Sequence, residues 1–257
     1  MWKKLRITLL LVVLAVVALQ AWLDRITTTD WDSTLWVGVF PIPADNSAAT
    51  RDYIASLTRQ DFSSIESFFT VEAQHYGVPL EQPVRIELYP PSDKMPPLLE
   101  PGAGMLASAW WSLKLRWFAR SAADVPGRVP SQIRVFVLFH DPAMNQKLPH
   151  SHGLQKGLVG VVHAFADRAH REMNNVVIAH EVLHTLGATD KYDPFTDAPV
   201  YPHGFADPDR EPLFPQEHAE IMAGRIAISE EHHEMPRGLH DAVVGALTAT
   251  EIGWKRP

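Results

Sequence analysis

Hydrophobic and polar positions along the chain divide it into three parts. Behind Lys3, Lys4 and Arg6, an apolar stretch runs from Ile7 to Leu23, broken only by Thr8 and Gln20. A signal-peptide core needs about 7–15 apolar residues and a spanning helix about 17–25, so this stretch lies where the two overlap. It predicts an N-terminal transmembrane helix or signal segment over residues 1–23. The basic residues before it put the remainder on the extracytoplasmic side, periplasmic or extracellular, and the protein is secreted if the segment is cut. Residues 24–34 are polar and read as a linker. Residues 35–257 carry the periodicities of a folded domain.

In that domain, Leu35–Phe40 (LWVGVF) reads as a strand stopped by Pro41 and Pro43. Apolar residues at helical spacing between 47 and 76 predict one or two amphipathic helices ended by Gly77 and Pro79. Val84–Leu88 alternates as a strand, and residues 91–103 form a proline-rich loop. Residues 104–120 look helical, with Trp110, Trp111, Trp117 and Phe118 read as core. Ile133–Phe139 is the strongest strand and Leu158–Phe165 (LVGVVHAF) another. A helix follows from Val176 to Leu186, capped by Asn174 or Asn175 and stopped by Gly187. Residues 188–220 are irregular, and 243–252 predicts a closing helix. This order gives an α+β class with a mixed sheet of about four strands before the 176–186 helix.

Composition narrows the chemistry. A net charge of -7 with no basic run outside the extreme N-terminus excludes a general nucleic-acid binder. The absence of cysteine removes disulfides, thiolate ligands and a cysteine nucleophile. No G-x-S-x-G and no P-loop is present. Thirteen histidines, mostly in the second half, leave imidazole ligation as the favoured metal chemistry.

The residues that carry it are His180, Glu181 and His184, in the run HEVLH. On a helix, positions i and i+4 lie about 40° apart around the axis, so both imidazoles can reach one Zn²⁺. Glu181, turned about 100° from His180, stands beside such a metal as a general base for its water. The longer run from His180 to Asp190, HEVLHTLGATD, resembles the metzincin signature H-E-x-x-H-x-x-G-x-x-H. Asp190 replaces the last histidine, as in metzincin-like peptidases of the snapalysin type. The resemblance covers roughly residues 130–225. It implies a zincin catalytic domain, zinc bound by His180, His184 and Asp190, a chain reversal at Gly187, and hydrolysis of peptide bonds in a peptide or protein substrate. It also implies a methionine turn beneath the metal, which Met222 fits, and an edge strand that pairs with extended substrate, expected at LVGVVHAF. No tyrosine follows Met222 at the place some metzincins use one. Tyr192, His203 and Arg225 are the candidates for oxyanion support.

Other assignments compete. A downstream Glu211, Glu217 or Glu220 could be the third ligand in a gluzincin-like arrangement. Asp193 is a nearer alternative, and DKYDPFTD could hold Ca²⁺ but lacks EF-hand spacing. EEHHE at 230–234 reads as a surface turn, His140-Asp141 as a loop start, and His150 and His152 receive no role. Two further function classes stand beside the peptidase: a zinc-stabilised, non-catalytic binding or scaffold domain, and a structural membrane protein in which the motif is accidental.

Overall fold

The computed structural model describes residues 29–255 apart from 100, 101, 103, 123–126, 129, 156 and 157, together with 2, 6–8 and 11. Five strands form one mixed sheet in the order β2-β1-β3-β5-β4, comprising β1 (Leu35–Pro43), β2 (Val84–Leu88), β3 (Ile133–His140), β4 (His152–Leu154) and β5 (Val159–Phe165). The β2-β1, β1-β3 and β3-β5 pairs are parallel, and β4 closes one edge antiparallel to β5. The α+β class and the mixed sheet therefore hold, with five strands ahead of the motif helix.

Both faces of this sheet are covered, which explains why β1 and β3 read as continuous apolar runs rather than as alternating ones. Val37, Val39, Val135 and Val137 face a core built with α1 (Ala48–Ser56), α2 (Ser63–His75) and α4 (Arg171–Leu186). Phe40, Ile42, Phe136 and Leu138 face the other way, against Trp111, Leu115 and Ala119 of α3 (Met105–Ala122). The last helix, α5 (Ala246–Glu251), closes the first core with Ala249, and Ile252 and Trp254 follow it there.

Several expectations are corrected. No helix among the described residues is long and apolar enough to cross a membrane, so the N-terminal transmembrane helix finds no support, and most of residues 1–23 lie outside the described ones. Trp31, read as part of a polar linker, is buried, and its indole N–H donates to the Ile252 carbonyl at 2.7 Å. β1 does not stop at Phe40 but runs through both prolines. The Val39 and Pro41 carbonyls accept from Tyr89 and Ser92, beyond the end of β2. The nitrogens of Pro41 and Pro43 point to that same vacated side, where no ladder bond is lost. The motif helix begins at Arg171, a turn before the expected start. Asn174 and Asn175 are not its caps. The Asn174 side-chain amide pairs with both backbone groups of Phe165, and Asn175 donates to the Asp61 carbonyl and Ser64 hydroxyl, so the two tie α4 to β5 and α2. The strand expected at the edge, β5, is internal, and three-residue β4 is the edge. The closing helix is shorter than expected because Ala242–Val243 instead pairs in parallel with Ala219–Glu220.

Candidate metal centre

The centre is built on the last two turns of α4. Val176, Ile178, Val182 and Leu183 anchor the helix in the core, which leaves His180 and His184 on its partly open side. Their rings meet edge to face at 4.7 Å between centroids. The helix ends at Gly187 with φ 107°, a left-handed position that suits glycine. Its N–H and that of Ala188 close the last turn onto the His184 and Leu183 carbonyls. The chain then reverses and returns Asp190 to both imidazoles. Asp190 Oδ1 lies 3.3 Å from His180 Nε2 and 3.1 Å from His184 Nε2.

Protonation follows from the partners. His180 Nδ1 lies 2.9 Å from the Ile221 carbonyl oxygen, and His184 Nδ1 lies 2.9 Å from that of Ala188. A carbonyl only accepts, so each Nδ1 carries a proton and each Nε2 faces Asp190. Burial opposes a second proton on His180, but Asp190 and the Ile221 carbonyl outweigh it and raise that imidazole, so with no cation present its Nε2–H donates to the carboxylate. With both rings neutral at Nε2, two imidazole lone pairs and the carboxylate oxygen would converge on one point, where a shared cation would take the place of the protons. Ligands about 2.0–2.1 Å from a tetrahedral ion stand about 3.3 Å apart, close to the spacing of Asp190 from each imidazole. The donor set and the fixed tautomers fit zinc. The imidazoles hold the Asp190 carboxyl well below the usual carboxylate range, although burial alone would raise it.

Glu181 is buried beside this point, and its Oε2 has no hydrogen-bond partner. Burial raises its carboxyl above the usual value, against the pull of both imidazoles. Ligand atoms of His180, Glu181 and His184 all lie within 4.8 Å of one another, a group that could hold a metal ion without Asp190. Burial and the nearby Asp190 carboxylate push the Tyr192 phenol up to about 12. Of the three oxyanion candidates it alone has a contact with the centre. Arg225 is ion-paired with Asp197, and His203 is exposed.

The floor is the turn at Met222, which is fully buried. Glu220 is no alternative ligand. Its carboxylate accepts from the N–H groups of Met222 and Ala223, from Gly245 N–H, and from the Thr248 hydroxyl. That bracket presents the Ile221 carbonyl to His180. Glu217 is engaged with Arg210, and Asp193 accepts from Phe195 and Thr196 in its own loop. Thr189 and Lys191, on either side of Asp190, both bind Glu251 on α5, with the nearly buried Lys191 ammonium 2.7 Å from its carboxylate. The loop that carries Asp190 is thereby held on both flanks.

Two more features escape sequence reading. Gly153 of β4 crosses directly over the motif: a Cβ there would lie 2.6 Å from the Glu181 carbonyl oxygen and from His184 Cβ, and 3.0 Å from Glu181 Oε2. The His-Gly-Leu triplet carries no periodic signal, so only the fold discloses this fit. His140 and His163 lie 2.9 Å apart between ring nitrogens, and burial lowers the His163 imidazole to about 4. His140 is therefore no mere loop-start residue but half of a neutral imidazole pair. EEHHE lies partly in β8 (His233–Glu234), paired with β7 (Ile226–Ala227), where His232 binds Glu234.

No family model and no curated protein sequence matches the chain.

Proposed function

We propose that this protein is a zinc-dependent metallohydrolase, a metzincin-like endopeptidase with His180, His184 and Asp190 as ligands and Glu181 as general base. One observation carries the reading. Two imidazole Nε2 atoms and a carboxylate oxygen, three groups that commonly bind zinc, converge next to a buried carboxyl oxygen that has no partner of its own. A structural role for Glu181 would supply that oxygen with a donor.

Bound zinc would supply Lewis acidity towards a substrate carbonyl and a water of lowered pKa. The chain's own groups do the rest. Glu181, kept out of water and raised in pKa, accepts the proton of the attacking water at its free oxygen and returns it to the leaving amine. Tyr192, near Asp190, is the phenol we assign to the developing oxyanion. An extended peptide would run along the outer edge of β4, whose glycine lets the strand lie close over the helix.

Glu181→Gln tests the assignment. It should keep stoichiometric zinc, measured on the purified protein, while hydrolysis of an unstructured protein such as casein falls about 10²–10⁴-fold. Purified protein that binds no zinc, or a variant that cleaves at the wild-type rate, would remove the proposal.

The proximity of Glu181 to both imidazoles supports one rival. If Glu181 were a fourth ligand the tetrahedron would be closed, and zinc would only stabilise a binding or scaffold domain. Competition by a small hydroxamate separates the two, since a closed site refuses it.

A further inference from the structure

Helix α3 carries two faces. Trp111, Leu115 and Ala119 pack on the sheet. On the opposite side, Leu106, Trp110, Leu113 and Trp117 are 85, 61, 51 and 78% exposed. At 100° per residue these four fall within an arc of about 60°, centred about 160–180° from the buried stripe. Tryptophan and leucine in such a line on a protein surface mark a contact region rather than scattered exposure.

The charges around the stripe say what kind of contact. The helix contains Lys114, Arg116 and Arg120 and no acidic residue, in a chain whose net charge is -7. By the same helical geometry Lys114 lies about 60–80° to one side of the stripe, and Arg116 and Arg120 lie on the other. The Lys114 ammonium sits 5.7 Å from the Trp110 ring. Among the described residues none of the three cations has an acidic partner. Aromatic and aliphatic side chains flanked on both sides by cations match a helix that lies in the plane of a bilayer, with apolar groups below the headgroups and cations among them. A second copy of the helix does not fit, because it would bring like charges together.

We propose that α3 is a peripheral membrane-binding element that seats the protein on an anionic lipid surface. The helix does not cross the bilayer; it lies on it. The sheet separates it from α4, so seating on lipid leaves the motif helix on the far side. The proposal stands apart from the zinc reading.

The chain has no cysteine, so single-cysteine labelling is clean. Leu113→Cys in the full chain carries an environment-sensitive fluorophore. Val71→Cys, exposed on α2, serves as control. Vesicles of phosphatidylcholine alone, or with phosphatidylglycerol, include acyl-brominated lipid as quencher. The expected result is a blue shift and quenching at position 113 only, and only with phosphatidylglycerol. Because the label reports on α3, binding of any other segment to the vesicles does not register. Lys114→Glu combined with Arg116→Glu and Arg120→Glu, all at the surface, should weaken this signal about a hundredfold. Equal signals at 113 and 71, indifference to anionic lipid, no signal with either vesicle, or a shift that grows with protein concentration in the absence of lipid would each overturn the proposal, the last by showing a second copy on the helix.

Discussion

Gly153→Ala probes how closely β4 must lie on the motif helix. The added methyl would meet the Glu181 carbonyl oxygen and His184 Cβ, both at 2.6 Å. Comfortable contact needs about 3.5–4.0 Å, so strand or helix must retreat by about 1 Å. Neither can do so freely. β4 pairs with β5 through Gly153 and Gly160, and α4 is packed into the core at Val182 and Leu183. Overpacking of this kind costs about 1–3 kcal/mol, which in a domain of this size lowers Tm by about 2–12 °C. The displaced atoms belong to the proposed base and to a proposed ligand residue, and a misplacement of about 1 Å can cost about 100-fold in rate. Thermal melting followed by circular dichroism, zinc content and casein hydrolysis would be compared with wild type. Gly104→Ala, where an added Cβ meets nothing within 4 Å, is the control. If Gly153→Ala melts and hydrolyses as the control does, the close approach of β4 to α4 is wrong.

Other outcomes follow from the same geometry. Asp190→Ala should lower zinc affinity by more than about 100-fold, the upper range for losing an outer-shell partner, in competition with a chromophoric chelator; unchanged affinity would make Glu181 the third ligand. Glu251→Gln leaves Lys191 nearly buried beside a neutral group. Removing one partner of a fully buried pair costs about 3–5 kcal/mol, and the partial exposure of Glu251 reduces this to about 2–3 kcal/mol in denaturant unfolding. Burial opposes ionisation of Glu251, but Lys191 and Thr189 outweigh it and lower its pKa below 4.5. Its contribution is therefore complete above about pH 4.5 and fades as pH falls through the lowered value, so the wild type and Glu251→Gln should converge in stability only in that acid window. A gap between them that stays constant down through that window would refute the pairing.

The proposed ligands are legible because their relation is local. His180 and His184 are one helical turn apart, and a glycine three residues on permits the left-handed turn that sends Asp190 back; these are properties of eleven consecutive residues. What sequence left hidden is long-range. Nothing near Glu220 announces that its carboxylate clasps Gly245 and Thr248, and nothing near Lys191 points to Glu251. Reading Glu220 as a possible ligand treated a buried carboxylate as free when four donors hold it. The sheet order also exceeded local pattern. β5 is apolar enough to be called a strand, but only pairing shows that the three-residue β4 takes the edge. The prolines of β1 misled for a physical reason: the rule against proline in a strand applies only where its nitrogen faces a neighbour.

The Glu220 bracket and the Lys191–Glu251 pair give the centre an order of assembly. Both imidazoles and Asp190 lie within a short run of chain, yet the carbonyl that orients His180 and the loop that carries Asp190 are fastened by Gly245, Thr248 and Glu251. A nascent chain that has not yet released α5 from the ribosome holds all three proposed ligands without the framework that fixes them. If the centre binds zinc as proposed, a chain stopped ahead of Gly245 would keep the motif but lack the groups that fasten the Ile221 carbonyl and the Asp190 loop, and should hold the metal less tightly.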